Sequence, residues 1–76
     1  MVHAYVLVKT APGRSDASID PIRKLPGITE AHIVAGAYDI VAEVEVDDVY
    51  TILQTSAADI QAIDGIEETR TYVALQ

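Results

Sequence analysis

The sequence predicts an α+β fold with elements in the order βαββαβ, the arrangement known as a ferredoxin-like plait. Two observations on the 76-residue chain support it. Four apolar segments of strand composition alternate with two segments of helical spacing. A weak internal repeat aligns residues 25–34 with residues 63–72, with Gly, Ile and Glu in common. Each copy is a helix end, a glycine and a returning strand, so right-handed crossovers place both helices on one face of an antiparallel sheet.

The first half of the chain contains a strand and an irregular helix. Residues 1–10 form an almost unbroken apolar run rich in β-branched types, which is typical of a central strand covered on both faces. After a turn signal at residues 11–13, Ser15 and Asp16 are expected to cap a helix. Pro21 lacks a backbone donor, so this helix is expected to be short or irregular.

The second half supplies the remaining strands and the more regular helix. Residues 28–35 and 40–46 have strand composition and are joined by a tight connection. Asp47 is expected to cap the following helix, whose apolar residues recur with a period of 3.6. Gly65 occupies the usual position after a helix, and residues 66–75 form the fourth strand.

Strand alternation assigns the side chains to two faces of the sheet. The residues expected to contact the helices are aliphatic: Ala4, Val6, Val8, Ile33, Ile40, Ala42, Val44, Val46, Val73 and Leu75. The residues expected on the other side are aromatic, aliphatic and charged: His3, Tyr5, Leu7, His32, Val34, Val41, Glu43, Glu45, Arg70 and Tyr72.

This second face predicts a homodimer or a larger homo-oligomer. Left bare, it would form an unusually large apolar patch, and a chain this short buries only about 60% of its unfolded surface when it folds alone. Face-to-face packing would give a sheet sandwich resembling an α+β barrel, with charge pairs fixing the register. The expected dimer interface consists of His3, Tyr5, Leu7, His32, Val34, Val41, Glu43, Arg70 and Tyr72. The alternative is a sheet face that water covers.

The charge balance argues against direct nucleic-acid binding. Twelve acidic and five basic residues give a net charge of −7, whereas phosphate binding needs clustered cations. Such acidity is typical of a solvated surface, and it also fits a salty, halophilic cytoplasm. No apolar run approaches the roughly 18 residues of a membrane span, and the first ten residues do not resemble a signal peptide. The expected location is the cytoplasm, without membrane contact.

Motifs for catalysis are missing from the sequence. The chain has no cysteine, which excludes a disulfide or a thiolate nucleophile, and it lacks the common hydrolase, metalloprotease and phosphate-binding patterns. His3 and His32 could join Glu43 or Glu45 in acid–base or metal chemistry, but their spacing matches no common ligand motif. The prediction is a non-enzyme with no catalytic residue, no metal and no cofactor.

Three short motifs carry a resemblance to a known family. Pro26-Gly27 precedes the second strand, Gly36-Ala37-Tyr38-Asp39 links the second and third strands, and residues 65–71 read Gly-Ile-Glu-Glu-Thr-Arg-Thr. Residues 25–46 and 63–75 together resemble the effector-binding half of the Lrp/AsnC regulators, the RAM or AsnC-type ligand-binding domain. The resemblance extends over nearly the whole chain, so residues 1–76 are interpreted as one such domain.

The resemblance implies a function and a set of site residues. In this family the plait dimerises by sheet packing, dimers commonly build octameric rings, and amino acids or related metabolites bind between dimers near the link between the second and third strands. Carried onto matching positions, the ligand-binding residues are Gly36, Ala37, Tyr38, Asp39, Thr69 and Thr71. The backbone at the first two would meet an α-carboxylate, Tyr38 would line the site, and Asp39 would attract an α-ammonium group or orient the link.

Lrp/AsnC regulators carry an N-terminal helix-turn-helix, whereas this chain begins at the first strand. It therefore resembles a stand-alone member that acts on transcription by assembling with full-length regulators.

Two alternatives stay open beside this interpretation. The first alternative is a small enzyme of the dimeric α+β barrel type, such as a monooxygenase or isomerase, although the predicted helix-facing residues are aliphatic. The second is an oligomerisation module without a ligand.

Overall fold

The computed structural model describes residues 1–75, apart from the side chains of residues 56 and 57. Its elements are β1 (Val2–Thr10), α1 (Ser15–Arg23), β2 (Ile28–Ile33), β3 (Ile40–Val46), α2 (Val49–Gln54) and β4 (Ile66–Val73). The strands form one antiparallel sheet in the order β2-β3-β1-β4. The predicted α+β fold of βαββαβ order is confirmed.

The central strand of the sheet is β1, as its composition predicts. It pairs with β3 on one side and β4 on the other, so that Tyr5 lies opposite both Glu43 and Tyr72. Within the chain only one side of β1 is covered, since its inward residues are fully buried whereas Tyr5 is 41% exposed. The expectation of cover on both faces is therefore not met by a single chain.

The hydrophobic core lies between the sheet and the helices. Among the side chains that the structure describes, eleven buried apolar residues form it: Ala4, Val6, Val8, Ile19, Ile22, Ala31, Ile40, Ala42, Val44, Ile52 and Ile60. Val46 and Val73 pack against this core as predicted. Two other predictions for this side fail. Ile33 lies opposite Ile40 but is 45% exposed at the end of an edge strand, and Leu75 lies beyond β4 and is 94% exposed.

Helix α1 begins without a side-chain cap. Arg14 occupies the N-cap position, and its side chain makes no capping hydrogen bond. The expected cap by Ser15 and Asp16 is therefore wrong. The Ser15 hydroxyl instead lies 3.1 Å from the hydroxyl of Thr10 on β1, because Ser15 is already the first helical residue. Pro21 lies inside the helix, which continues to Arg23 and reaches nine residues.

Helix α2 is capped one residue later than the sequence predicts. The carboxylate of Asp48, not of Asp47, accepts hydrogen bonds from the backbone N–H and the hydroxyl of Thr51, at 2.8 and 2.9 Å. Both acidic residues are compatible with an N-cap, so only the first helical dihedral angles distinguish them. A π-helical segment, Thr55–Ile60, continues α2 toward β4.

Two further contacts fix the ends of the elements. Gly27 has a φ of +89°, and a Cβ there would lie 2.7 Å from Val46 Cγ1, so only glycine fits between α1 and β3. Arg23 of α1 donates two hydrogen bonds, of 3.1 and 2.7 Å, to the carbonyl of Ala31 on the outer edge of β2. Within residues 1–75, no helix is long and apolar enough to span a membrane.

Candidate functional site

The side of the sheet opposite the helices is called the open face. It carries His3, Tyr5, Leu7 and Lys9 from β1, Glu30 and His32 from β2, Val41, Glu43 and Glu45 from β3, and Glu68, Arg70 and Tyr72 from β4. The strand residues predicted for this side lie on it. Val34 falls outside, since β2 ends at Ile33, and its side chain is 37% exposed.

Apolar side chains cross the middle of the open face. Leu7 lies beside Val41, and Tyr5 lies between Glu43 and Tyr72, which is 56% exposed. The tyrosine rings provide large apolar surfaces with a polar end, a composition typical of protein interfaces. Charged groups lie at both ends of this apolar band.

At one end of the band, His3 lies between two carboxylates. Its Nδ1 is 3.3 Å from Glu45 Oε2, and its Nε2 is 3.2 Å from Glu43 Oε1. The three side chains are about one-third exposed, at 33%, 28% and 38% for His3, Glu43 and Glu45. The imidazole also contacts Tyr5, with ring centroids 5.1 Å apart.

At the other end of the band lies the connection between β2 and β3, residues 34–39, here called the link. Its two ends are joined by a hydrogen bond of 2.8 Å from the N–H of Val34 to the carbonyl of Asp39. The N–H of Asp39 in turn donates to the carbonyl of Val8, at 2.9 Å. The link is therefore closed on itself and attached to the central strand.

Asp39 anchors the link through its side chain. Its Oδ2 accepts hydrogen bonds from the Thr10 backbone N–H at 2.8 Å and from the Thr10 hydroxyl at 3.2 Å. The bond from the backbone N–H holds the pKa of Asp39 below its ordinary value, and the Thr10 hydroxyl and the charge of Lys9 add to this. These two hydrogen bonds attach the link to the end of β1.

A second set of contacts attaches the link to the open face. The Tyr38 hydroxyl donates to Glu68 Oε2 at 3.0 Å, and Arg70 Nε donates to the same oxygen at 3.3 Å. These two bonds, led by that from Tyr38, hold the pKa of Glu68 below its ordinary value. Lys9 Nζ donates to the carbonyl of Ala37 at 3.1 Å. Lys9 and Glu68 are opposite each other in the β1–β4 ladder, so both belong to one cluster.

Gly36 differs from the other glycines of the chain. Gly13, Gly27 and Gly65 have positive φ angles, which explains their residue type, whereas the φ of Gly36 is not positive. A Cβ built on Gly36 would meet nothing within 4 Å. Neither its own backbone conformation nor packing among residues 1–75 requires a glycine here.

Thr69 and Thr71 lie apart from the link cluster. They are opposite Val8 and Val6 of β1, which places them on the helix side of the sheet. The Thr69 hydroxyl accepts a hydrogen bond of 2.8 Å from Gln61 Nε2, at the end of the π-helical segment. The structure therefore does not bring them together with Tyr38, and their contact with a ligand stays a prediction. They also add polar side chains to a face that the sequence analysis treats as aliphatic.

A shallow pocket of about 230 Å³ lies at the end of the sheet next to the link. Its polar lining residues are Lys9, Thr10, Ser15, Asp39 and Glu67. Among the residues described, no group of three or more histidine, aspartate and glutamate side chains is arranged to hold a metal ion.

Neither Lys9 nor Glu68 is among the ligand-binding or interface residues predicted from the sequence. The alternation that places Tyr5 and Leu7 on one face also places Lys9 there, and its pairing partner Glu68 follows. Strand alternation does not give the position of the link. That position brings Lys9 into contact with Ala37 and Glu68 into contact with Tyr38.

Residues 3–76 match the Lrp/AsnC ligand binding domain family. The chain belongs to this family. The match extends over all four strands and both helices.

Relatives of this Lrp/AsnC domain include longer regulators. An uncharacterized HTH-type transcriptional regulator of Pyrococcus furiosus is 31% identical over 74 residues, which cover 93% of this chain and 49% of that protein. The chain thus spans about half the length of the curated relatives it matches.

Solved structures show the same fold. A protein from Thermus thermophilus superposes with a TM-score of 0.95 and 33% identity, covering 100% of this chain and 95% of that one. A transcriptional regulator from Neisseria meningitidis, solved in complex with L-Met, has a TM-score of 0.85 at 13% identity, covering 99% of this chain and 50% of that one. At that identity the second likeness concerns the fold alone.

Proposed function

We propose that this Lrp/AsnC domain is an oligomeric sensor that binds an amino acid or a related small metabolite at the link. It would transmit ligand occupancy to transcription by assembling with full-length Lrp/AsnC regulators in the cytoplasm, without contacting DNA itself and without catalysis. The observation that carries the proposal is Gly36, a glycine that its own chain does not require, in a loop that is otherwise held in place by side chains.

The chemistry of the link suits a zwitterion. Gly36 has open space around it and Ala37 is exposed, so the backbone N–H groups of these two residues can meet an α-carboxylate. Thr10 stabilises the ionised form of Asp39, and the negative charge of Asp39 in the same loop can attract an α-ammonium group. Tyr38 supplies a ring next to both. A partly dry site with both kinds of partner is what a free amino acid needs.

The comparisons support this choice of ligand class. The family is one of ligand-binding domains, and the Neisseria meningitidis regulator of the same fold was solved with L-Met. Transferring an amino-acid ligand to the present chain is part of the proposal, since the identity to that regulator is only 13%.

We further propose that a second copy of the chain covers the open face, which forms the barrel-like sheet sandwich. Tyr5, Leu7, Val41 and Tyr72 would supply the apolar centre, and His3, Glu43 and Arg70 the charged ends. His32 and Val34 would lie at the margin near β2. Ring-shaped octamers built from such dimers would place the link between neighbouring dimers, where several chains could contact one ligand.

Ligand binding is tested by thermal unfolding and calorimetry with each of the twenty amino acids. A ligand that binds only the folded state raises its stability, by about 2.7 kcal/mol at a hundredfold excess over the dissociation constant. We expect at least one amino acid to raise the unfolding temperature. Gly36→Val should abolish that shift without lowering the stability of the free protein, because a Cβ at this position meets nothing within 4 Å.

The matched control is Ala35→Val, which adds similar bulk to the exposed neighbouring residue and should leave the ligand shift intact. If none of the twenty amino acids changes the unfolding temperature or produces heat, the proposal of an amino-acid ligand is wrong. Sedimentation of the same samples separates the alternatives: an oligomer without any ligand shift is an oligomerisation module, and a stable monomer contradicts the covered open face.

A further inference from the structure

We propose that assembly through the open face takes up protons, and that His3, held between Glu43 and Glu45, is where they bind. The inference rests on the proposed covering of the open face by a second copy of this chain. It adds a regulatory property to that interface: the dimer becomes tighter as the pH falls from 8 to 6.

His3 lies where a ring that carries a hydrogen on both nitrogens has an acceptor on each side. Both ring nitrogens lie within hydrogen-bond distance of a carboxylate oxygen, at 3.3 and 3.2 Å. A neutral imidazole has one N–H and one bare lone pair, so one of its two nitrogens would face a carboxylate acceptor without a hydrogen between them. Only the imidazolium form, or a proton on one of the carboxyl groups, gives both contacts a hydrogen.

A second sheet packed on the open face would also cover His3. It lies on the central strand, and its ring is 5.1 Å from that of Tyr5, which pairs with Tyr72 across the sheet. A second sheet placed over these tyrosines therefore removes water from the one-third-exposed His3, Glu43 and Glu45 side chains.

Once water is removed from these three groups, their total charge affects the free energy of the covered state. With a neutral ring the trio carries two negative charges, and with one added proton it carries one. Moving charge from water into an interface is unfavourable, and the penalty is larger for the more highly charged form. The covered state therefore favours the protonated trio, and by linkage a lower pH favours the covered state.

Within one chain, the charged neighbours of the trio do not remove this bias. Glu30 of β2 lies opposite Glu43 and adds negative charge, while the nearest residues of β1 and β4 on this face are tyrosines. The basic side chains on the open face, Lys9 and Arg70, are at the far end of the sheet, where they bind Ala37 and Glu68.

His32 provides a matched control within the chain. It is also on the open face, but it contacts one carboxylate, Glu30 Oε1 at 3.1 Å, and lies on the edge strand. The two side chains are 60% and 58% exposed, so water screens them more effectively than the trio. Its replacement should change the pH dependence much less.

The test measures the dimer dissociation constant by sedimentation at pH 8 and pH 6, at one ionic strength. This interval spans the ordinary range of histidine titration. We expect the dissociation constant of the natural sequence to fall about tenfold or more. The His3→Gln variant should form a weak dimer at both pH values. The His3→Lys variant, which carries a fixed positive charge, should form a tight dimer at both. His32→Gln should behave like the natural sequence.

Each result bears on the inference. A dimer whose affinity is the same at pH 8 and pH 6, or one that keeps its pH dependence in His3→Gln, overturns the proton uptake and leaves the proposed dimer standing. Loss of the pH dependence in His32→Gln but not in His3→Gln overturns it equally. A chain that is monomeric at both pH values overturns the covered open face, and the proton uptake with it.

Discussion

The two faces of the sheet are built from the same strands but differ in composition and exposure. On the helix side, alternate residues of β1 and β3 are aliphatic and fully buried, as Val6 and Ala42 show. On the open face, the intervening residues are aromatic or charged and stay partly exposed, such as Tyr5 at 41%. The contrast indicates that one face stabilises the folded chain and the other is available to a partner, so substitutions on the two faces should have separable effects.

The largest effect is expected from the helix side. Ile22→Ala removes a fully buried side chain from α1 and should lower the free energy of unfolding by about 2–5 kcal/mol, since it leaves a cavity against the sheet. Urea denaturation measures the loss. Tyr50→Ala, at a position on α2 that is 71% exposed, is the control and should stay within about 0.5 kcal/mol of the natural sequence. Equal losses in the two variants would contradict the location of the core.

The next largest effect is expected from the open face. Tyr5→Asp removes the ring at the centre of the apolar band and adds an acid opposite Glu43, so it should weaken self-association at least about thirtyfold, or roughly 2 kcal/mol. Sedimentation measures the association, and far-ultraviolet circular dichroism checks that the fold persists. Tyr50→Asp makes the same change away from this face and should leave association unchanged. If both variants dissociate alike, net charge rather than the open face controls assembly.

A smaller effect is expected at the link, and it depends on pH. Because the pKa of Asp39 is lowered in the folded chain, its stabilisation is complete above the unfolded value of about 3.9 and is lost as the pH falls through the lower folded value. Asp39→Asn keeps an acceptor for Thr10 but does not titrate. Urea midpoints of the two proteins should therefore differ most at pH 6 and converge in acid.

The smallest effect is expected at the start of α2. Asp48→Ala removes the acceptor for the Thr51 N–H and should lower the unfolding temperature by a few degrees. Asp48→Asn keeps a capping oxygen and should restore most of the loss, and Asp47→Ala should have no effect. A larger loss in Asp47→Ala than in Asp48→Ala would mean that the helix begins one residue earlier than the structure shows.

Much of the fold follows from local pattern because the period of a strand is two residues. That period alone separates Ala4, Val6 and Val8 from His3, Tyr5 and Leu7, and pairing with β3 and β4 preserves the separation. Gly27 and Gly65 mark the ends of the two helices and so separate each helix from the strand that follows it.

The ends of the elements could not be predicted in this way. Hydrophobicity continues past Ile33 and Val73, but β2 ends where the Val34 N–H turns toward Asp39, and Leu75 extends beyond the paired part of β4. These ends depend on tertiary hydrogen bonds that no local pattern contains. The π-helical segment likewise has no signal in the apolar spacing of α2.

The candidate site shows the same division. The motif positions predicted Gly36 to Asp39 as one group, and the structure keeps them in one closed loop. The partners of that loop come from distant strands: Thr10, Lys9 and Glu68 contact it from 28 to 30 residues away along the chain. Such contacts depend on sheet register, so they cannot be predicted from sequence motifs. The same register places Thr69 and Thr71 on the helix side of the sheet.

The two hydrogen bonds that Arg23 donates to the Ala31 carbonyl also bear on the direction in which this sheet can grow. Exposed edge strands invite pairing with strands of other chains, which leads to aggregation or fibres. A carbonyl already bound to a guanidinium is closed to an incoming strand, and the side chain itself obstructs the approach along β2. Arg23 thus hinders the addition of a further strand at the β2 edge, which is an edge where an open-ended sheet would otherwise grow.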